Sequence, residues 1–173
     1  LITGAGPIGL LAALLAMQRG LEVHVLDRAT DGPKPWLVRE LGAAYHTGTV
    51  ADLDIDPDIV VECTGAPTVV LEVIDKVAPA GVVCLAGVSA IGGEAEYPAG
   101  ALNREVVLEN NVVFGTVNAN RSHWIAAAGA LEVADPKWLA KLITRRVPVE
   151  SYADAYERRD DDVKVVMEFA PST

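Results

Sequence analysis

Basic residues, cysteines and aromatics are all scarce in this 173-residue sequence. Fourteen Lys and Arg face 24 Asp and Glu, for a formal net charge of −10. No stretch gathers the cations that a nucleic acid or an anionic membrane surface requires, so neither is expected as a partner. The two cysteines, Cys63 and Cys84, lack Cys-x-x-Cys spacing. A disulfide framework is therefore not expected, and a reducing cytoplasm is the simplest setting. Aromatics make up 5% of the chain, which implies a core of aliphatic strands and small-residue helices. No apolar run approaches the roughly 20 residues that span a bilayer. The longest, 8–17, ends in Gln18-Arg19-Gly20 and reads as a buried helix. No secretory or transit signal is recognisable at the start.

What the chain does have is aliphatic bulk, with 51% hydrophobic residues, enough for one domain with a substantial core. Short strand-like runs at 1–3, 22–26, 43–45, 59–62, 81–86 and 111–117 alternate with helical patterns at 8–19, 35–41, 68–77, 122–133, 136–144 and 151–158. Most of the strand runs are continuously apolar, as expected of strands covered on both faces. The alternation predicts an α/β doubly wound Rossmann fold. Its six-stranded, mostly parallel sheet would have the order 3-2-1-4-5-6, with helices on both faces. Gly20 reads as a left-handed helix stop, and Asp135-Pro136 as a capped helix start. Ser151 with Asp154 resembles a capping box, and 88–101 reads as a mobile loop. Residues 164–169 are expected as a strand outside the main sheet. Leu1-Ile2-Thr3 reads as the end of a strand whose first half lies upstream, so an excised domain is expected.

Gly4-Ala5-Gly6-Pro7-Ile8-Gly9 follows the first strand and opens the first helix. In that context Gly4 permits a tight turn, Gly6 lets backbone amides approach a pyrophosphate, and Gly9 lets helix and strand pack closely. The free amides and dipole of the helix start, which Pro7 and Ile8 form, would then hold phosphates. Asp27 ends the second strand near the offset expected of a ribose-binding acid. Its carboxylate would accept from the 2′- and 3′-hydroxyls and repel a 2′-phosphate, which tilts the choice toward NAD. Arg28 could pair with that phosphate, so NADP stays open. Three more strand ends lie on the expected ligand side: Thr64 and Gly65, then Ala86, Gly87 and Val88, then Thr116, Val117 and Asn118. They would supply backbone donors and acceptors to the nicotinamide half, although ordinary strand-to-loop transitions explain them equally.

The glycine loop together with Val61-Glu62-Cys63-Thr64-Gly65 resembles the cofactor domain of the zinc-containing medium-chain dehydrogenases/reductases. Leu102-Asn103-Arg104-Glu105-Val106-Val107-Leu108-Glu109-Asn110-Asn111, followed by Gly115-Thr116-Val117-Asn118-Ala119, is similar to the carboxy-terminal domain of the glucose dehydrogenase branch. The resemblance covers essentially the whole chain. It implies an NAD(P)-dependent glucose or aldose 1-dehydrogenase that moves a hydride from the sugar's anomeric carbon to nicotinamide. A GroES-like domain holding the catalytic zinc and most sugar contacts would lie outside this chain, leaving the isolated chain inactive. The full enzyme would be a homo-oligomer. By position, Asn118 would reach both cofactor and sugar, while Ala86, Gly87, Val88, Thr116 and Val117 would contact the nicotinamide end. Some relatives carry Arg-rich sequence where this chain has Asp27-Arg28. A polyol or alcohol dehydrogenase of the same superfamily, or a stand-alone dinucleotide sensor, are the rival readings.

Other residues attract chemistry less. His24, His46 and His123 do not converge in sequence, and none has metal-ligand spacing with a cysteine. No metal site is expected within this chain. Cys63 ends a strand where it could touch cofactor, though small-residue packing explains it as well. Glu62 reads as a structural hydrogen-bonding group rather than a proton relay, and Trp124 and Trp138 as core or domain-interface residues. Arg145-Arg146, Arg158-Arg159 and Asp160-Asp161-Asp162 read as solvated charge.

Overall fold

A computed structural model of the chain describes residues 1–96 and 98–169. Tyr97, within the expected loop, and residues 170–173 of the expected single domain lie outside that range. Six strands form one sheet: β1 (Ile2–Thr3), β2 (His24–Leu26), β3 (Ala44–His46), β4 (Ile59–Glu62), β5 (Val82–Leu85) and β6 (Val112–Gly115). They lie in the order β3-β2-β1-β4-β5-β6, and every neighbouring pair is parallel. The order reverses between β1 and β4, which opens a crevice at their carboxyl ends.

Alternation along the strands sends side chains to two cores. Val25 and Ile2 join Leu10, Ala13, Leu37 and Val38 beneath α1 (Pro7–Gln18) and α2 (Pro33–Glu40). Leu26, Val60 and Val83 join Val73 and Ile74 of α3 (Pro67–Lys76) on the other face. Leu102 and Val106 of α4 (Ala99–Leu108) pack against that second cluster. Helix α1 stops where expected: Gly20 takes φ +71° and donates to the Met17 carbonyl at 2.9 Å.

Helix α4 begins inside the segment expected to be loop, and none of its residues is fully buried. Gly100 and Asn103 weaken the local helix signal, and only two side chains reach the core. Helix α5 (Arg121–Glu132) likewise buries no residue completely. Trp124 on it is 68% exposed, so it is not a core residue. Helix α6 (Pro136–Lys141) starts on the expected cap, with the Asp135 side chain accepting from the Lys137 amide.

Helix α6 ends earlier than its pattern implied. The β-branched run that follows becomes β7 (Ile143–Pro148), paired in parallel with β8 (Lys164–Glu168) in a separate two-stranded sheet. The expected capping box at Ser151 does not form. Residues Val149–Tyr156 make a 3₁₀ helix with Ser151 at a non-helical φ of −105°. The Arg145 guanidinium donates to the Asp154 and Glu157 carbonyls at 2.6 and 2.8 Å and pairs with Asp162 at 2.5 Å. Its charge is therefore a tie within this unit, not a solvated surface group, and the Asp162 hydrogen bonds raise the guanidinium's pKa above its ordinary value.

Trp138 joins α6 to the α2 face. It is 2% exposed, and its indole N–H donates to the Leu37 carbonyl at 3.0 Å. Trp138→Ala is expected to lower unfolding free energy by about 3–5 kcal/mol, because it opens a cavity and removes the indole bond to that carbonyl. Denaturant melts check this.

Candidate functional site

The glycine loop sits at the switch point. Gly4 takes φ +91° and donates to the Leu26 carbonyl at 2.7 Å, turning the chain off β1. A Cβ on Gly9 would stand 1.8 Å from the Gly4 carbonyl oxygen, so α1 could not pack there with any larger residue. Gly6 differs, for a Cβ there would meet nothing within 4 Å. Its open side faces the space over the helix start. Pro7 is the first helical residue, and α1 has neither a side-chain cap nor an acid in its first turn. The first helical bond runs from the Leu10 amide to the Gly6 carbonyl. The amides of Ile8 and Gly9 precede it and have no partner within the helix, which suits an anion.

Asp27 lies beside this loop, as the sequence implied. Its Oδ2 accepts from the Ala5 amide at 2.7 Å, and its Oδ1 from the Ala29 amide at 3.0 Å. Lys34 Nζ stands 3.6 Å from Oδ1, both side chains being largely buried. Lys34 escaped the sequence reading. It becomes a neighbour only because Gly32, at φ +82°, and Pro33 start α2 directly over the β2 end. The carboxylate is thus already engaged, with one cation beside it, while Arg28 is exposed.

On the other side of the crevice the strand ends interlock. Glu62 is fully buried and receives the Thr64 amide at 2.6 Å, the Gly65 amide at 3.1 Å, and the hydroxyls of Thr64 and Thr3. Its backbone carbonyl accepts from the amides of Ala86 and Gly87, each at 2.8 Å. Gly65 takes φ +65°, and a Cβ on it would lie 2.4 Å from the Val88 carbonyl oxygen. A Cβ on Gly87 would lie 2.2 Å from the Gly65 amide nitrogen. Thr64, Gly65, Ala86, Gly87 and Val88 are therefore brought together as one wall.

That wall differs from expectation in its polarity. The amides of Cys63, Thr64, Gly65, Ala86, Gly87 and Thr116 all donate inward. It cannot offer those six donors to a ligand, and Val88 and Val117 stand exposed on it, at 85% and 86%. Thr116 follows the edge strand β6 and bonds the Leu85 carbonyl, and Asn118 stands exposed in the loop beyond it. Cys63, beside Glu62, is half-buried, with its thiol 3.8 Å from the Val61 carbonyl. Burial, then Glu62 and Cys84, pushes the Cys63 thiol up to about 12, so it is no nucleophile near neutral pH.

His24 and His46 do converge, contrary to their separation in sequence. Pairing of β2 with β3 puts them on one face, diagonal to each other, with rings stacked at 5.1 Å and Nδ1 of His24 2.9 Å from Nε2 of His46. Glu22 lies 3.1 Å from the other His24 nitrogen. Burial and the neighbouring ring lower the His46 pKa. Among the described residues, no group of three or more His, Cys, Asp and Glu side chains could hold a metal ion. A cavity of about 370 Å³, lined by Ala16, Leu21, Val23, Ile55 and Ile59, lies at the opposite, amino-terminal end of the sheet and is not this crevice.

The two glycines separate packing from binding. Gly9→Ala is expected to lower the melting temperature steeply, because backbone must move. Gly6→Ala should leave melting within a few degrees while weakening ADP binding about tenfold. Calorimetric melts and ADP titrations read both; equal melting of the two variants would contradict the packing argument.

The sequence profile of the family described as "Glucose dehydrogenase C-terminus" matches residues 1–169. Glucose 1-dehydrogenase 2 of Vulcanisaeta moutnovskia is 41% identical over 99% of this chain and 50% of its own length. Glucose 1-dehydrogenase of Thermoproteus tenax is 38% identical over 97% of this chain and 49% of its own. The chain thus spans about half the length of these curated relatives. A structure of Haloferax mediterranei glucose dehydrogenase in complex with NADP, Zn and gluconolactone superposes with a TM-score of 0.86 at 29% identity. The match covers 99% of this chain and 50% of that one. With its switch-point glycine loop and this match along nearly its whole length, the chain belongs to the glucose dehydrogenase C-terminal family, a branch of the medium-chain dehydrogenases/reductases.

Proposed function

We propose that this chain is the cofactor-binding half of an NAD(P)-dependent glucose or related aldose 1-dehydrogenase. The observation that carries the reading is the open, uncapped start of α1 at the switch point, within a chain of this family. The geometry suits a dinucleotide: Gly6 leaves room for a pyrophosphate that a side chain would fill, and the Ile8 and Gly9 amides point to it. Asp27 and Lys34 would receive the adenosine ribose. The wall of Thr64, Gly65, Ala86, Gly87 and Val88 would face the nicotinamide half, its carbonyls suited to the donors of a carboxamide and of ribose hydroxyls. Thr116 and Val117 would close that end.

The chemistry assigned to a bound nicotinamide is acceptance of a hydride from the sugar's anomeric carbon, leaving a lactone. This chain's residues orient the acceptor and exclude water from its wall side, where Val88 and Val117 present apolar surface. Asn118 would hydrogen-bond the sugar as well as the cofactor. The described residues do not fit a metal ion, so no step within this chain is assigned to zinc. The Haloferax mediterranei complex holds NADP, Zn and gluconolactone, which supports the cofactor and substrate classes, with the zinc expected in the other half of the enzyme.

The full enzyme is proposed as a cytoplasmic homo-oligomer. The two free cysteines fit a reducing compartment, and the edge strand β6 leaves Val112 and Phe114 about half exposed for burial elsewhere.

NAD is the proposed preference, by a small margin, since Asp27 repels a 2′-phosphate while Lys34 and Arg28 soften that repulsion. Steady-state kinetics of the full-length protein with glucose should give a kcat/KM for NAD above that for NADP by about fivefold or less, the range of a partly screened charge contact. Asp27→Asn should narrow that ratio. A strong NADP preference unmoved by Asp27→Asn would sink the assignment. Asn118→Ala should raise the KM for glucose several-fold with melting unchanged; a change in melting alone would deny Asn118 its substrate role.

A further inference from the structure

Glu62 is the one carboxylate in the described core, and a buried carboxylate is costly unless donors surround it. Here they do, and they come from different pieces of chain. Thr3, the residue before the phosphate-side Gly4, donates its hydroxyl at 3.3 Å. The Thr64 and Gly65 amides donate from the turn after β4, Gly65 reaching both carboxylate oxygens at 3.1 Å. The turn after β5 closes over the same group, since a Cβ on Gly87 would lie 2.8 Å from Glu62 Oε2. Through its carboxylate, which accepts from Thr3, Thr64 and Gly65, and its backbone carbonyl, which accepts from the Ala86 and Gly87 amides, Glu62 therefore links the ends of β1, β4 and β5, the three strands that border the crevice on its nicotinamide side.

A neutral side chain could cap the 62–65 turn without this desolvation cost. What a carboxylate adds is simultaneous acceptance of four donors in fixed register. The register it sets is that of the nicotinamide-side wall relative to the phosphate loop. We infer that Glu62 is a positioning residue for cofactor binding: without touching the dinucleotide, it holds the Thr64-Gly65 and Gly87-Val88 wall at the distance from the glycine loop that the nicotinamide half requires. This inference rests on the dinucleotide reading given above.

Two ligands separate positioning from mere support of the fold. ADP tests the phosphate loop and adenosine end alone, whereas NADH and NADPH also need the wall. In the full-length protein, Glu62→Gln keeps one acceptor oxygen and replaces the other, which the Gly65 amide also reaches, by a donor facing that amide. Binding of NADH and NADPH, followed by nicotinamide fluorescence, should weaken about tenfold, the change expected for loss of one charge-assisted hydrogen bond. ADP affinity by calorimetry should stay within about twofold. Glu62→Asp keeps the charge but draws it back by one methylene, and should weaken NADH as much as Glu62→Gln does. Should both Glu62 variants fail to fold, Thr3→Val removes one hydroxyl donor to the carboxylate while leaving its amide bonds, and should weaken NADH about threefold with ADP unchanged. Parallel loss of ADP and NADH affinity in the folded variants would make Glu62 merely structural and overturn the inference, as would unchanged NADH binding. If the unaltered protein binds ADP but gains nothing from the nicotinamide half, the dinucleotide reading itself fails, and the inference with it.

Discussion

The whole ligand-side architecture depends on one close approach, that of α1 to the turn leaving β1. The Gly4 carbonyl occupies the space where any side chain at position 9 would begin. Because nothing intervenes, the axis of α1 points its uncapped amides at the switch point instead of over the sheet. The turn that makes this possible runs through Gly4 at positive φ, anchored to β2 by the Leu26 carbonyl. Helix direction, amide exposure and the location of the crevice thus follow from one steric contact between two backbones.

From that contact the crevice acquires two unlike sides. The α1 side presents donors, because first-turn amides have no carbonyl behind them. The β4–β5 side withholds donors, because Glu62, by side chain and backbone together, draws the amides of four neighbouring residues inward. Such a division suits a ligand with an anionic middle and a donor-bearing end. The side at the end of β2 is less one-signed. Asp27 is bound by the Ala5 amide and accompanied by Lys34, so its field is weaker than a lone carboxylate's.

Away from the crevice, the carboxy-terminal part of the chain is held by a few strong ties. Trp138 plugs the α2 face, and Arg145 gathers Asp162 with two backbone carbonyls to shape the unit of β7, the 3₁₀ helix and β8. Helix α5 contributes no fully buried residue, and Trp124 and Ile125 lie open on it. An exposed apolar surface of this kind suits burial against another protein surface.

Much of this was legible in sequence, and for local reasons. Continuous apolar strands and the 3.6-residue pattern of α1, α2 and α3 located those elements within one or two residues, because burial on both sheet faces imposes composition directly. The glycine loop and Asp135 were legible because sterics and capping act between near neighbours. Helix α4 and strand β7 were not legible: α4 is tied down by only two side chains, and β7 exists because residues about 20 positions later pair with it. The same limit applied at the site. The sequence by itself determined that a glycine turn opening a helix stands at a switch point, since glycine spacing and strand–helix order suffice for that. Only the tertiary structure decided that Lys34 reaches Asp27, that His24 stacks on His46, and that Glu62 ties three strand ends together. Those contacts join residues from 7 to 59 positions apart, and no local pattern encodes which side chains a parallel sheet will bring within hydrogen-bonding distance.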